Sequence, residues 1–415
     1  MSTRASSLAS SLALVFTLVT GCDSPPPMQV DAAVLPDAFV GDDAWTMPDA
    51  GFVIADHGPS YVIPDQGGTR IVHPELVLIT YANDPNRATL EAHARWLVGS
   101  SWLTDVGAEY GIGTGSVLAT IHRTDDAPPT TTTAEIEALL QAGVTDRSLP
   151  PGSDNSYANV LYVIYFPIGT TITDSDLGTS CVSYGGYHTE ISNGGNPFAY
   201  AVIPTCHDFN PALTDIETEE EAMTHELIEA ATDARPMTHP AFAFTTSFPY
   251  SPWLFVGAEL ADLCALHVGP TAYVRDPSGF VASRVWSNAA AMANDRDPCV
   301  PIPAAAAATP YYQVSIAPGT AQVVTPGTSV TFDLTAWSTG PMGPFGIYAE
   351  AATAGAGMFM PTVSVDRMTV RSGDHATLTV GVPVGTPSQA YTLIYVETYL
   401  TPSDYNSQPV VVFAP

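Results

Sequence analysis

The chain has 415 residues, a length that allows two or three domains. Charged residues make up only 13% of it, yet the formal net charge is −30 and all twelve basic residues are arginine. Such a surface repels nucleic acid and anionic lipid headgroups, so neither class is expected as a partner, although acidity can also serve simply to keep an exported protein soluble.

The first 22 residues have the pattern of a targeting segment. Arg4 provides a weak positive start, and the apolar run 8–19 is too short to span a bilayer by itself. The segment ends in Val-Thr-Gly-Cys22, which resembles a bacterial lipobox, where the cysteine is lipidated and becomes the new N-terminus. The alternative is an ordinary secretory signal with an incidental cysteine. We expect a lipoprotein signal peptide over 1–22 and a membrane anchor at Cys22, with the exported protein on the cell surface or in the periplasm.

Residues 23–68 predict a disordered tether. They are rich in proline, alanine, glycine and aspartate, with eight aspartates and no hydrophobic periodicity. A chain of this composition repels itself and would hold a folded part away from the membrane.

Four cysteines remain after Cys22, namely Cys181, Cys206, Cys264 and Cys299. In an exported chain they suggest two disulfides, for which the sequence alone permits three pairings. We expect Cys181–Cys206 and Cys264–Cys299, which are neighbours in order. The alternative that some are zinc thiolates is weak, because the chain has no Cys-x-x-Cys pair.

Residues 69–303 predict a mixed α/β (α+β) domain, because predicted strands alternate with helices. The strands are expected at 76–81, 116–122, 160–166 and 199–203. One helix is expected at 88–97, and a capping box of Thr132 and Glu135 opens another that runs to about residue 140. A longer helix is expected over about 215–233. Its first turns hold Glu217, Glu219, Glu220 and Glu221, and most of these are expected to form a solvated capping face rather than to act as ligands.

The long helix carries the pattern His-Glu-x-x-Glu. His225 and Glu229 are four residues apart and share one face, with Glu226 beside them. The pattern differs in one ligand from the His-Glu-x-x-His of zinc proteases. A hydrolytic zinc site needs three protein ligands, an open position for water and a nearby base. His225 and Glu229 are predicted ligands, and Glu226 is the predicted catalytic base; a solvated acidic helix face is the plain alternative.

The third ligand must come from elsewhere in the chain. Glu259 is the best candidate, since it lies in an acidic, partly helical context thirty residues after Glu229. Asp262 is then a carboxylate that orients His225, or an alternative ligand. His188 is the further histidine expected to approach. Zinc is the expected ion, with calcium as the alternative because a site built mainly of carboxylates leans toward calcium.

Residues 304–310 are expected to be a linker, and residues 311–415 an all-β immunoglobulin-like sandwich. Turn signals there alternate with short predicted strands at 329–334, 377–380, 391–396 and 410–413. Residues 366–395 resemble the end of bacterial Ig-like modules. We find no candidate catalytic residues in this part.

Two motifs in combination resemble a known family. The segments 224–233 and 259–264 are similar to the phosphate-induced (exordium-like) proteins of plants and their exported bacterial relatives. Segments 181–188, 199–202 and 286–288 with Cys299 fit the same pattern, so the resemblance covers about residues 71–300. Ala234 departs from it, because proline is common there in the family, and the loop that follows is longer.

The resemblance implies an extracellular α/β domain with a zincin-like site helix. The plant members are associated with the cell wall and growth, and the bacterial relatives are labelled metalloproteases. Our leading prediction is a lipid-anchored, zinc-dependent hydrolase of peptide bonds. The alternative is a non-catalytic surface- or matrix-binding protein with a vestigial or structural metal site. An extracellular protein or surface polymer is the expected substrate or ligand.

Overall fold

The computed structural model describes residues 52–415 except 176, 192–196, 248–249, 258, 353–354, 356 and 402–403. The predicted signal peptide, Cys22 and most of the predicted tether lie outside the described residues. Within the described part of the chain, no helix has the length and apolar character needed to cross a membrane.

Residues 75–300 form a mixed α/β layer. Its elements in chain order are β1 (Glu75–Thr80), α1 (Arg87–Leu97), α2 (Ser101–Gly107), β2 (Ser116–His122), β3 (Thr130–Thr132), α3 (Thr133–Asp146), β4 (Val160–Phe166), β5 (Thr171–Asp174), β6 (Gly178–Thr179), β7 (Tyr187–Ile191), β8 (Phe198–Pro204), α4 (Asp215–Thr232), α5 (Leu260–Val268), β9 (Tyr273–Arg275), β10 (Val281–Ser283), β11 (Val285–Trp286), α6 (Asn288–Ala293) and β12 (Cys299–Val300).

A five-stranded sheet in the order β2-β1-β4-β8-β7 is the centre of this layer. The first four strands are parallel, and only the edge strand β7 runs antiparallel to its neighbour. Helices cover both faces, so the central strands are mostly apolar, as in the fully buried β4. Alternate residues of β1, β4 and β8 face α1 and α4 on one side, and the residues between them face α3 on the other.

The strands predicted at 116–122 and 160–166 are confirmed at those bounds as β2 and β4. Helix α3 begins with the predicted capping box of Thr132 and Glu135, but it continues to Asp146. Its later turns extend beyond the predicted end because Val144 packs into the same core as Leu140.

Helix α4 carries the site and also begins with a capping box, formed by Thr214 and Glu217. The expectation that its early glutamates form a solvated face is wrong for Glu219 and Glu220, which are both buried. This half of the helix packs against β10 and α1, and the Val281 amide of β10 donates to Glu220 Oε2 at 3.1 Å. Glu217, which pairs with Arg275, and Glu221 keep partial exposure.

Both expected disulfides are confirmed. Cys181–Cys206 joins the segment before β7 to the end of β8, and Cys264–Cys299 joins α5 to β12. Each bridge therefore fastens an element that contributes to the site described below.

The ordered chain begins before residue 69, the boundary expected from composition. Ile63 is buried, and its amide donates to Asn288 Oδ1 at 2.8 Å. The Gln66 amide donates to the Ala241 carbonyl at 2.7 Å, and the His57 ring stacks on Trp337 at 3.8 Å. Isolated apolar side chains and backbone hydrogen bonds fix this segment, and neither produces a periodic sequence signal.

The C-terminal part is an all-β sandwich preceded by one helical turn within the expected linker. The elements are α7 (Ala304–Ala307), β13 (Tyr312–Ala317), β14 (Gln322–Val323), β15 (Ser329–Ser338), β16 (Phe345–Ala351), β17 (Thr362–Val365), β18 (Thr369–Val370), β19 (His375–Gly381), β20 (Tyr391–Thr401) and β21 (Asp404–Phe413). One sheet has the order β13-β15-β19-β17 and the other β14-β21-β20-β16-β18, with an apolar core between them.

The sandwich packs directly on α5 of the α/β layer. His267 at the end of α5 lies 2.7 Å from the Ser407 carbonyl through Nδ1 and 2.7 Å from the Tyr311 hydroxyl through Nε2. A side chain at Gly269 would collide with the Tyr405 ring, so the two surfaces meet closely there. The position of α5 is thus set by the sandwich as well as by the layer that holds α4.

Candidate metal centre

Helix α4 places His225, Glu226 and Glu229 in the interior, below the edge of the central sheet. All three are at most 3% exposed. His225 Nε2 lies 3.3 Å from Glu229 Oε2, as the four-residue spacing on one helical face predicts. A sequence that buries two carboxylates and an imidazole together in this way calls for neighbouring groups that compensate their charge.

The N-terminus of α5 fixes the Glu229 carboxylate. Glu229 Oε1 accepts hydrogen bonds from the backbone amides of Ala261 and Asp262, each at 3.0 Å. These amides are among the free donors at a helix start, where the helix dipole also favours negative charge. Glu229 Oε2 is left pointing at His225, so the orientation of this candidate ligand is set in advance.

Asp262 completes a group of three potential ligands. Its Oδ1 lies 3.3 Å from His225 Nε2, and one ligand atom of each of His225, Glu229 and Asp262 lies within 4.8 Å of the others. The same ring nitrogen of His225 faces both carboxylates, so Asp262 lies at a ligand position rather than behind the ring. Gly257, with φ +96°, makes room for it, because a Cβ there would lie 2.2 Å from Asp262 Oδ2.

Glu259, the predicted third ligand, faces His188 instead. Its Oε1 lies 3.6 Å from His188 Nε2. Among the described residues, the ligand groups within 4.8 Å include His225 with Glu229 and Asp262 but not with Glu259. Ligation by Glu259 therefore stays a prediction, while Asp262 has the geometry for that role. Glu259 precedes the first turn of α5, and its carboxylate does not cap the helix.

His188 comes from the edge strand β7 and approaches as expected. Its Nδ1 lies 3.4 Å from Glu226 Oε2 and 3.8 Å from Glu229 Oε2, which makes a second group of three potential ligands. Gly186, just before the strand, lies against Glu226, since a Cβ there would be 2.8 Å from Glu226 Oε1. The Cys181–Cys206 bridge holds this entry to β7.

Burial and neighbouring charges shift the pKa values of the clustered side chains. Burial, reinforced by Glu229, raises the pKa of Asp262 to about 8, and burial together with Glu229 and Asp233 raises the pKa of Glu259 well above its usual range. Burial opposes charge on His225, but the Glu229 and Asp262 carboxylates raise its pKa well above the ordinary value. Carboxylates crowded in low dielectric compete for positive charge, so a cation is the natural complement.

Sequence reasoning left Asp233 and two glycines without a role. Asp233 ends α4, its Oδ1 accepts from the Ala241 amide at 2.8 Å, and burial raises its pKa to about 7. The sequence did place both Asp233 and Gly186 near candidate site residues. Asp233 is the last residue of the segment 224–233, and Gly186 directly precedes Tyr187 and His188. The contact of Gly257 with Asp262 depends on the loop path before α5, which no local pattern reveals.

Several aromatic side chains in the segment between α4 and α5 cover the core. Phe242, Phe244 and Trp253 are buried in the same cluster as α4, whereas Tyr250 is exposed. A separate group of His207, Asp208 and Asp215 lies at the surface near the start of α4. Its members are strongly exposed apart from Asp215, and exposed ion pairs of this kind contribute little.

Comparison with known proteins gives no relative that could assign a function. No protein-family model matches the chain, and no curated protein matches it. Among solved structures, the secreted serine protease VesC from Vibrio cholerae aligns at 10% identity over 25% of this chain and 23% of its own, with a TM-score of 0.18.

Two further solved structures align over more of the chain. Catalytically inactive OgpA from Akkermansia muciniphila, in complex with an O-glycopeptide substrate, aligns at 10% identity over 83% of this chain and 94% of its own, with a TM-score of 0.23. A nucleoside hydrolase-related hypothetical protein from Saccharophagus degradans aligns at 9% identity over 83% and 100%, with a TM-score of 0.26. TM-scores this low do not indicate a fold shared with any of the three structures.

Proposed function

We propose that this chain is an exported, zinc-dependent hydrolase of peptide bonds, built on a zincin-like α/β layer with an immunoglobulin-like sandwich behind it. The observation that carries the proposal is the group of His225, Glu229 and Asp262, with Glu226 adjacent on the same helix. Two disulfides and a lipobox-like N-terminus support export and a membrane anchor at Cys22.

The residues fit a tetrahedral zinc site. His225 Nε2 lies 3.3 Å from both Glu229 Oε2 and Asp262 Oδ1. Atoms bonded to one tetrahedral ion at about 2.0–2.1 Å are separated by about 3.3–3.4 Å. Asp262 Oδ2 is also buried without a hydrogen-bond partner, which costs free energy. A cation bound to this carboxylate would reduce that cost. The presence of two imidazoles in the cluster favours zinc over calcium, which takes oxygen ligands.

When bound, the ion would supply Lewis acidity toward a peptide carbonyl and an activated water. The residues of this chain would take up the proton that the activated water releases. Glu226 is the group expected to accept this proton, at Oε2. It directly follows His225 on α4 and is not one of the three candidate ligands His225, Glu229 and Asp262. The nearby His188 imidazole faces the same oxygen and would stabilise negative charge there.

A peptide substrate is supported by the position of the site beside β7. This strand pairs with β8 on one side, and no other named strand of the described residues pairs with its outer edge. An unpaired edge can bind an extended peptide through main-chain hydrogen bonds once it is exposed. Four of the five β7 residues are buried, so the chain that covers this edge would have to move aside for a peptide to bind. His188 is a residue of this strand, so a peptide bound there would pass close to Glu226.

A second candidate function is a non-catalytic envelope protein with a structural ion. The burial of the site favours it, because Glu259, the most exposed of the six clustered side chains, is only 8% exposed. In this reading the sandwich and tether present the layer to a surface polymer or protein partner.

The test is Glu226→Gln in the full-length protein. With one equivalent of zinc supplied, we expect one zinc per chain in both forms and a loss of roughly 10²–10⁴-fold in cleavage of an unfolded protein substrate, because the base is absent. Glu217→Gln on the same helix is the matched control and should keep full activity. Equal activity of Glu226→Gln and wild type would contradict the assigned base. Zinc binding without cleavage by wild type would favour the structural ion.

A further inference from the structure

The buried cluster contains more carboxyl groups than one divalent ion can neutralise. Four clustered carboxylates, Glu226, Glu229, Glu259 and Asp262, are at most 8% exposed, and Asp233 is buried at the end of the same helix. Five ionised carboxylates would exceed the charge of one divalent cation by three and that of two by one. Uncompensated buried charge is expensive, so these carboxyl groups either keep protons or gain further positive charge from a cation.

The candidate ligands form two groups rather than one. His225, Glu229 and Asp262 make the first, and His188, Glu226 and Glu229 make the second. Glu229 belongs to both because its Oε2 lies 3.3 Å from His225 Nε2 and 3.8 Å from His188 Nδ1. Its other oxygen is already held by the amides of α5. A carboxylate that faces two imidazoles in this way can serve two neighbouring ions.

His188 of the second group and the neighbouring Glu259 each have a polar atom without a hydrogen-bond partner. His188 Nε2 and Glu259 Oε1 are buried without hydrogen-bond partners, although they face each other at 3.6 Å. A histidine that binds a metal through one nitrogen usually donates from the other to a carboxylate, which fixes the ring. His188 with Glu259 behind it has this arrangement, so Glu259 is a positioning residue for His188.

We infer that His188, Glu226 and Glu229 form a second site for a zinc-like divalent cation, next to the first and weaker than it. The second site is weaker because it shares Glu229 with the first and because two nearby cations repel each other. The inference rests on the proposed function in one respect: Glu226 is the assigned base. A cation held there occupies Glu226 Oε2, so excess zinc would inhibit hydrolysis.

The experiment is a titration of the metal-free full-length protein with zinc, followed by calorimetry and native mass spectrometry. Wild type should bind two ions, the second at least about 10-fold more weakly than the first. His188→Gln should keep the first binding event and lose the second. Glu259→Gln should keep the first and weaken the second by about 10–100-fold, as loss of an orienting carboxylate does. His207→Gln, in the exposed group near α4, is the matched control and should keep both.

The outcomes separate this inference from the proposed function. A single binding event in wild type would overturn the second site and leave the proposed function intact. No binding at all would overturn both. A second event that survives in His188→Gln but disappears in His207→Gln would place the second ion on the exposed group and overturn the inference.

Discussion

The α/β layer and the sandwich bury different kinds of side chain. Between the two sheets of the sandwich lies an apolar core, with Phe332 and Leu378 paired across neighbouring strands. Beneath the central sheet, helix α4 instead buries His225, Glu226 and Glu229. Apolar burial stabilises a fold directly, whereas buried charge costs free energy unless it is compensated. Under the proposed function, the sandwich core stabilises the fold and the buried cluster binds an ion.

The largest expected effect comes from breaking the sandwich core with Phe332→Ala. Phe332 is 1% exposed, and deletion of a buried phenyl ring costs about 3–5 kcal/mol. Calorimetric unfolding should show this loss, while the zinc content of the folded protein stays unchanged. Loss of zinc from the folded variant would contradict the separation of roles between the two parts.

The next effect is the removal of metal from the α/β layer. With free zinc at about 100 times its Kd, binding to the folded state stabilises it by about 2.7 kcal/mol, which a chelator should remove. His225→Ala should abolish the difference between zinc-loaded and chelated protein in thermal unfolding. His375→Ala is the matched control, since His375 lies on the exposed surface of the sandwich beside Asp333. Equal zinc stabilisation in all three proteins would place the ion outside the cluster.

The last expected effect depends on pH and concerns Glu219, a buried carboxyl on α4 away from the candidate ligands. Burial, reinforced by Asp84, raises its pKa from 4.5 to about 8. Between these pH values the folded protein keeps a proton that the unfolded chain releases. Stability therefore falls as pH rises from about 4.5 to 8.

Glu219→Gln cannot ionise, so it should flatten this pH dependence and raise stability at pH 8 by up to about 4 kcal/mol, since one unit of pKa shift corresponds to about 1.4 kcal/mol. Urea denaturation across pH 5–8 measures it. Glu217→Gln on the same helix serves as the control and should retain the wild-type slope. If stability falls with pH as steeply in Glu219→Gln as in wild type, the raised pKa of Glu219 is contradicted. The carboxylate would then be ionised in the folded protein and stabilised by more than its hydrogen bond from Asn86.

Local patterns predicted the elements whose sequence signals are short-range. The apolar run of β4, the capping box of α3 and the pairing of His225 with Glu229 all follow from spacing along one element. The two disulfides were also predictable, because neighbouring cysteines close short loops.

Features that depend on how separate elements approach each other were not predictable. The sequence places Glu259 and Asp262 three residues apart, but only the direction of α5 decides that Asp262 meets His225 while Glu259 meets His188. The anchoring of Glu229 by two α5 amides is likewise a backbone contact between elements distant in sequence. Burial of Glu219 and Glu220 reflects packing against β10 and α1, which overrode the solvation expected of glutamates near a helix start.

The most direct test of the central claim is anomalous diffraction at the zinc absorption edge, from crystals of the full-length protein grown with one equivalent of zinc. We predict a peak within bonding distance of His225 Nε2, Glu229 Oε2 and Asp262 Oδ1, and loss of that peak in Asp262→Asn. A peak bonded to Glu259 in place of Asp262 would restore the ligand expected from the sequence. A peak only at His207, Asp208 and Asp215, or none, would contradict the metal centre.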